Sequence, residues 1–527
     1  MFQILISDKL GKAGLERLDQ MDDVHYEMRP GLNQAELRAI IPDYDALIVR
    51  SDTQVTAELL AAAPQLKIVG RAGIGVDNID IKAATMRGII VMNTPGANSM
   101  ATAEQTMALM LASSRHTAQA HMSVNAGEWR RSDFVGTELF GKTLGIIGFG
   151  RIGRLVAARA QAFGMEVVAC DPFVSEEVGR EMNVTLLDLE DLLPQADYVS
   201  LHTAVTPETT KLINTDTINQ MKDGVILINV ARGKLIDEPA LAAALQSGKV
   251  RAAGLDVYSS EPPTNNPLIH LPNVVHTPHL GASSVEAQRN VATQIVEQVV
   301  DALRGTDFRN ALNTPFQTTG NFDEIRPYMA LAEKIGRFHA GMADSLIQKI
   351  ELEVQGEQLD GIVKAIAAGL LIGVLQDLHP EPLNYINAPV IADQLGIQIS
   401  QTTGQSPVNY PNLVSCRVFG DDWDRLIAGV LFAGGQPRIV RLNDYDVDAR
   451  PEGHILLMQN RDVPGVVGQI GTILAAYEVN IGEWRMGRDK PGGKALSFIN
   501  LDSDVPAAAL DALSKITAVT RAKLVNL

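Results

Sequence analysis

Leu144-Gly-Ile-Ile-Gly-Phe-Gly-Arg-Ile-Gly153 is the stretch on which the reading of this chain turns. Its apolar start, Leu144 to Ile147, predicts a buried strand, and Arg154 to Phe163 has helical composition, so Gly148, Gly150 and Gly153 form G-x-G-x-x-G inside a strand-turn-helix. Each glycine has a separate task. Gly148 permits the tight turn, Gly150 lets a pyrophosphate approach the backbone, and Gly153 lets the helix pack close on the strand. The helix start, with Arg151 and Ile152, offers free N–H groups and a partial positive charge to phosphates. A second strand, Glu166 to Ala169, leads to Asp171, whose carboxylate can hold both hydroxyls of an adenosine ribose and would repel a 2′-phosphate. A lone glycine triplet is a weak signal; with strand, helix and acid in register it predicts a site for NAD rather than NADP.

Working outward, strands recur at Tyr198–His202, Val225–Ala231, Ala252–Asp256 and Val274–His279. With the first two they make six, the number used by a dinucleotide-binding sheet of two mononucleotide halves. Ser99 to Ala120 reads as one long helix crossing between lobes. Ser284 to Arg304, with Val291, Ile295, Val299 and Leu303 at spacing four, reads as a helix returning to the first. That first lobe has four short apolar strands, Gln3–Ser7, Ala46–Val49, Lys67–Gly70 and Ile89–Met92, separated by helical patterns, which predicts a second parallel sheet. Ligands of such sheets bind beyond the carboxyl ends of the strands. Those ends carry Arg50-Ser51, Arg71-Ala-Gly-Ile-Gly75 and Asn93-Thr-Pro-Gly-Ala-Asn98, a setting for an anion.

Polar residues from Gln317 to Asp323 mark a boundary, after which a mixed region runs to about Tyr445 with a strand at Gln348–Val354, an apolar helix at Gly361–Leu378 and a strand at Leu413–Phe419. It holds no catalytic constellation. The end of the chain reads strand, helix, strand, strand, helix, strand, a split βαβ module.

A chain of 527 residues exceeds one core and predicts three or four domains. Hydrophobic content of 46% with 20% charged residues is ordinary globular composition. The longest apolar run, Ala365 to Leu375, is too short to span a membrane, and Met1-Phe-Gln-Ile-Leu leads into a strand without a basic leader. The two cysteines, Cys170 and Cys416, lie far apart and read as free thiols of a reducing cytoplasm. No metal-ligand pattern is present. A net charge of −17 argues against nucleic acid and anionic membrane as partners and leaves room for a small anion in a local cationic pocket.

Three residues stand after strands of the nucleotide lobe: Arg232 in Asn229-Val-Ala-Arg-Gly233, Glu261 in Tyr258-Ser-Ser-Glu-Pro-Pro263 and His279 in Thr277-Pro-His-Leu-Gly281. Oxidising a secondary alcohol requires a base for the hydroxyl proton as hydride leaves for NAD, and His279 suits that work. Glu261 would fix its tautomer and stabilise the imidazolium, and Arg232 offers a planar fork that matches a carboxylate and polarises a neighbouring carbonyl. Each alone is an ordinary surface residue. Their joint placement is not.

These motifs, with Val49-Arg-Ser51, Gly70-Arg-Ala-Gly-Ile-Gly-Val-Asp-Asn78, Gly136–Gly145, Met221-Lys-Asp-Gly224 and His279-Leu-Gly-Ala282, resemble the D-isomer-specific 2-hydroxyacid dehydrogenases along the whole chain. More narrowly they resemble the long branch of that family, which oxidises 3-phosphoglycerate in serine biosynthesis and carries an intervening domain and a C-terminal ACT domain. The resemblance implies a substrate domain over 1–98 and 285–315 with a flavodoxin-like sheet, a Rossmann-like NAD domain over 99–284, an α+β intervening domain over 316–450 and a ferredoxin-like ACT domain over 453–527. It implies Arg232, Glu261 and His279 as the catalytic trio and NAD contacts from Arg151, Ile152, Asp171, Thr203, Ala231, Asp256 and Gly281 beside the glycines. Arg50, Ser51, Arg71 and Asn98 would hold the substrate's phosphate and carboxylate. Trp129 and Arg131 match positions that reach into a neighbouring subunit, which implies a homodimer through the nucleotide domain and a homotetramer beyond it. In the ACT-like module, Asn460, Asp462 and Asn480 read as lying at one loop edge of the sheet near the helix start at Gly465, a site for an L-serine effector at a seam between two modules. Two other readings stay open: a dehydrogenase of another D-2-hydroxyacid such as glycerate or lactate, and an NAD-sensing corepressor-like scaffold.

Overall fold

The computed structural model describes all residues except 316–321, 344, 380–381 and 406–408. Short apolar runs alternating with amphipathic segments build the first lobe: β1 (Phe2–Ile6), α1 (Lys12–Leu18), β2 (Val24–Met28), α2 (Gln34–Ile40), β3 (Ala46–Val49), α3 (Ala57–Ala61), β4 (Ile68–Arg71), α4 (Ile81–Met86) and β5 (Ile90–Met92). The five strands are parallel in the order 2-1-3-4-5. Four were expected. The additional β2 is an edge strand whose Val-His-Tyr-Glu-Met sequence is half exposed and so lacks the apolar run that marks a central strand.

The second lobe opens with α5 (Ser99–Arg115) and α6 (Thr117–Asn125), where one helix over Ser99–Ala120 was expected. His116 breaks it with φ 51°, a left-handed conformation that histidine adopts without any glycine to announce it. There follow β6 (Thr143–Ile147), α7 (Arg151–Ala162), β7 (Glu166–Cys170), α8 (Glu176–Glu181), β8 (Thr185–Leu186), α9 (Leu189–Leu192), β9 (Tyr198–Leu201), α10 (Thr215–Gln220), β10 (Val225–Asn229), α11 (Glu238–Ser247), β11 (Val250–Leu255) and β12 (Val274–His276). The sheet has seven parallel strands, not six, in the order β12-β11-β10-β9-β6-β7-β8; the two-residue β8 is too short to leave a hydrophobic pattern. Strand order reverses between β6 and β9, which places a ligand crevice at their carboxyl ends. The chain then returns through α12 (Val285–Arg304), which buries Val291, Ile295 and Val299 in the core of the first lobe. Asn313 seals the junction, its side chain bonding the backbone of Val91 and Ile89.

The boundary expected over Gln317–Asp323 lies in large part outside the described residues, and its last two residues already belong to a helix, α13 (Phe322–Met342). After it come β13 (Lys349–Gln355), α14 (Val363–Leu375), α15 (Ala388–Gln394), β14 (Gln398–Gly404), β15 (Leu413–Phe419), β16 (Asp424–Phe432), β17 (Gln436–Leu442) and β18 (Tyr445–Ala449), whose strands form a mixed sheet in the order β14-β13-β15-β16-β17-β18. α13 and α14 approach backbone to backbone: Cβ atoms on Gly336, Gly369 and Gly373 would overlap carbonyl oxygens of the facing helix. The final unit, β19 (His454–Arg461), α16 (Val466–Ala476), β20 (Ile481–Arg488), β21 (Lys494–Leu501), α17 (Ala507–Ser514) and β22 (Val519–Asn526), has the expected βαββαβ order and an antiparallel sheet β20-β21-β19-β22. Leu456 and Met458 face its own helices, while Ile455, Leu457, Phe498 and Val525 point the other way into the core beneath α13 and α14. No described helix is long and apolar enough to cross a membrane.

Candidate functional site

The glycine loop divides its work as the motif requires. Gly148 has φ 96°, and a Cβ there would lie 2.6 Å from the carbonyl carbon of His202; one on Gly153 would overlap the Gly148 carbonyl oxygen. A Cβ on Gly150 would meet nothing within 4 Å, so that side of the loop is open to a ligand. No side chain caps α7, which leaves the N–H groups of its first turn, at Arg151 and Ile152, for an anion. Asp171 follows β7 beside this loop, accepting the Phe149 N–H at 2.8 Å and the Phe173 N–H at 2.9 Å. Thr203 and Ala231 follow β9 and β10 at the same edge. These features fit NAD: an open pyrophosphate approach, an uncapped helix start and a carboxylate after the next strand, where this fold holds a ribose.

Asp256, expected as a cofactor contact, also holds the loop that follows it in place. It is fully buried, and its oxygens accept Thr277 Oγ1 at 2.5 Å and the N–H groups of Leu280 and Gly281 at 2.7 and 2.8 Å. Its carboxylate therefore organises the loop that carries His279, and the Gly281 N–H is already taken up by it.

That loop sets His279 at φ 55°, with its N–H donating to the Asp256 carbonyl oxygen at 2.9 Å. Its Nδ1 lies 2.7 Å from Glu261 Oε2. An ionised carboxylate only accepts, so Nδ1 carries the proton and Nε2 is left as the basic atom. Burial works to raise the Glu261 carboxyl, but the hydrogen bonds from His279 and the Tyr258 N–H, with the nearby charges of His279 and Arg232, outweigh it and hold it below the usual value.

In front of this pair lies a cleft of about 590 Å³ whose walls come from both lobes and include Arg50, Ser51, Arg71, Asn98, Glu261 and His279. Buried Asp8 positions the Arg50 loop by accepting the Arg50 N–H at 2.5 Å and Thr53 Oγ1 at 2.6 Å. Arg71 is pushed down to about 10, first by burial and then by the charges of Arg232 and Arg50. Cations crowded this closely want an anion between them. Arg71 Nε and Asn98 Oδ1 are buried without a partner, a cost that a bound polar ligand would remove.

Arg232 sits at the seam between lobes. Its Nε donates to Asp77 Oδ2 at 2.8 Å and its Nη1 to the Ala231 carbonyl oxygen at 2.7 Å. Sequence reasoning did not single out Asp77 at this seam, nor Lys9 and Gln288 in the lining of the cleft. Lys9 follows β1 at the same carboxyl edge as Arg50 and was within reach of the rule that found it; Gln288 and Asp77 needed the fold.

Trp129 and Arg131 do not reach the cleft of their own chain; Trp129 is 84% exposed. The expected effector trio is also not together. Asp462 follows the end of β19, where it accepts from Arg488 Nη1 at 3.3 Å, and Asn460 is buried in that strand. Asn480 lies at the opposite end of the sheet, bonded to Asp502. Because β20 follows a helical crossover it runs parallel to β19, and its first residue starts where β19 starts, about 25 Å away at ~3.3 Å per residue.

Fold and site together define an NAD-dependent dehydrogenase of the D-isomer-specific 2-hydroxyacid class. Residues 107–281 match the NAD-binding domain of D-isomer specific 2-hydroxyacid dehydrogenases, 324–443 the D-3-phosphoglycerate dehydrogenase intervening domain and 454–518 the ACT domain. The D-3-phosphoglycerate dehydrogenases of Bacillus subtilis and Methanocaldococcus jannaschii are each 40% identical to this chain, over all of it and all of their own length. Among solved structures, a D-lactate dehydrogenase from Aquifex aeolicus complexed with NAD and lactic acid superposes with TM-score 0.53 at 29% identity, covering 57% of this chain and 96% of that one. The chain belongs to the D-3-phosphoglycerate dehydrogenase family.

Proposed function

We propose that the chain oxidises 3-phospho-D-glycerate to 3-phosphohydroxypyruvate, the entry step of phosphorylated serine biosynthesis, with residues 1–98 and 285–315 holding the substrate and 99–284 holding NAD. The observation that carries this reading is the cleft in which Arg50, Arg71 and Asn98 stand before the His279–Glu261 pair. A substrate with a phosphate at one end and a carboxylate beside its hydroxyl matches cations spread along one wall; lactate would leave part of that charge unanswered. NAD, when bound, takes the hydride from the substrate's secondary alcohol. His279 Nε2 takes the hydroxyl proton, Glu261 steadies the resulting imidazolium, and Arg232 binds the carboxylate and polarises the forming carbonyl. Expected is NADH formation with 3-phosphoglycerate well above that with glycerate or lactate, and a loss of about a hundredfold or more in turnover for His279→Ala at unchanged NAD affinity. Near-normal turnover in that variant would remove His279 as the base.

The chain works as a homodimer through the nucleotide lobe, extended to a tetramer. Met122, Val124, Trp129, Val135 and Phe140, on α6 and the loop after it, are large apolar side chains left exposed, which supports a partner there. The ACT unit binds L-serine at a seam between copies. Pairing two sheets antiparallel along the edge strand β20 sets one copy's Asn480 beside the other's Arg488 and Asp462, which restores the trio that one chain keeps apart. Serine titration followed by calorimetry, on wild type and Asp462→Ala, tests this: binding to neither excludes the site. The free Cys170 and Cys416 fit a cytoplasmic location.

A further inference from the structure

The loop Arg71-Ala-Gly-Ile-Gly75 has two glycines for a reason that the anion cleft alone does not explain. A Cβ on Gly73 would overlap the guanidinium of Arg71, and one on Gly75 would overlap Nη2 of Arg232. The second overlap crosses the seam, since Gly75 belongs to the first lobe and Arg232 follows β10 of the second. Two residues on, Asp77 reaches the same guanidinium and takes the Nε hydrogen at 2.8 Å, while the Ala231 carbonyl oxygen takes one from Nη1 at 2.7 Å. Three of the fork's edges are thus fixed by protein: Nε by a carboxylate, Nη1 by a carbonyl and Nη2 by a slot in the opposite backbone. Burial works to raise the Asp77 carboxyl, but the Arg232 hydrogen bond and charge outweigh it and hold it below the ordinary range.

We propose that Asp77 is a positioning residue for the reaction: reaching across the seam, it aims the guanidinium of Arg232 at the substrate and couples closure of the two lobes to alignment of that arginine. The inference rests on the reading of Arg232 as the group that binds and polarises the substrate. An arginine anchored by one edge from each lobe is in register only when the lobes are together. Without Asp77 the fork rotates about its own chain, and a misplacement of about 1 Å costs on the order of a hundredfold in rate. The alternative is that Asp77 occupies the arginine in place of substrate and must leave before it binds.

The test is a double-mutant cycle on the full-length enzyme with 3-phosphoglycerate and NAD. Asp77→Ala is expected to lower kcat about tenfold to a hundredfold, with NAD affinity and melting temperature close to wild type. Asp77→Asn, which keeps an oxygen for the Nε hydrogen without the charge, is expected to fall between; being nearly isosteric, it carries the test if the alanine variant folds poorly. Arg232→Lys lowers kcat by itself, and adding Asp77→Ala to it costs little more, because no guanidinium is left to aim. Equal losses from Asp77→Ala in the wild-type and Arg232→Lys backgrounds would overturn the proposal, as would a lower KM at unchanged kcat, the mark of a competing carboxylate. If Arg232→Lys cripples the enzyme and neither Asp77 variant does, the positioning role alone falls; if Arg232→Lys leaves turnover intact, the catalytic reading of Arg232 falls and takes this one with it.

Discussion

Arg71 carries its charge at a cost that a bound anion would offset. It is buried beside Arg232 and Arg50, its Nε has no partner, and the charges of Asp77 and Asp8 offset only part of that cost. A hydrogen bond to a charged group contributes roughly 1.5–3 kcal/mol, and about 1.4 kcal/mol is tenfold in affinity. Arg71→Ala is therefore expected to raise KM for 3-phosphoglycerate about tenfold to a hundredfold and KM for glycerate far less; equal losses in steady-state assays would reassign it to the carboxylate. At this scale much is legible in the sequence. Arg71 closes β4, Arg50 and His279 stand just after strands and Glu261 lies in the loop after β11, and parallel strands bring such positions to one edge whatever their separation in sequence. Asp77 is not legible, although it lies in the motif Gly70–Asn78, because its partner is 155 residues away and nothing local assigns it one. Asp256 shows the opposite case: a carboxylate at a strand end reads as a ligand contact, and its further work of holding the His279 loop through Thr277, Leu280 and Gly281 appears only in the fold.

α13 and α14 hold the intervening unit together through a seam with no side chains at its tightest points. A methyl on Gly373 would overlap the Glu333 carbonyl oxygen, so Gly373→Ala must push two helices apart, and overpacking of this kind costs about 1–3 kcal/mol. Gly471 on α16 is the counter-case, since a Cβ there meets nothing within 4 Å and alanine favours a helix by up to about 1 kcal/mol. Thermal unfolding is expected to shift down for the first and stay or rise for the second; a rise for both would show that helix propensity, not the seam, governs. Legibility here follows burial. Central strands of both parallel sheets announce themselves by their apolar runs, whereas half-exposed β2 and minimal β8 do not, and His116 breaks a helix without any breaker residue. The misplacement of Asn480 is one of direction. In a βαβ unit the second strand starts at the end where the first starts, and that rule, applied to the sequence of β19 and β20, is enough to separate Asn480 from Asp462.

Across the whole molecule, the ACT unit is not a detachable module. Ile455, Leu457, Leu496, Phe498 and Val525 share one core with Phe338 and Ile350. At roughly 1.5–3 kcal/mol for each buried side chain their removal would cost on the order of 10 kcal/mol, comparable with the net stability of a domain. A chain ending before His454 is expected to bind a hydrophobic dye and melt well below the intact protein; unchanged melting would mean the shared core is dispensable. Serine sensitivity is therefore tested with point variants such as Asp462→Ala, since a truncation would damage what it is meant to isolate. The return of α12 to the first lobe has a further consequence, for the order in which a ribosome can deliver a folded enzyme. Residues 1–98 are made before the lobe that follows them yet cannot finish folding before it: their sheet lacks Val291, Ile295 and Val299, and its β5 edge lacks Asn313, until α12 and the segment beyond it have emerged. The inserted lobe, complete earlier, folds while β1 to β5 still wait, so the segment most in need of a chaperone during synthesis is one made before the lobe that folds ahead of it.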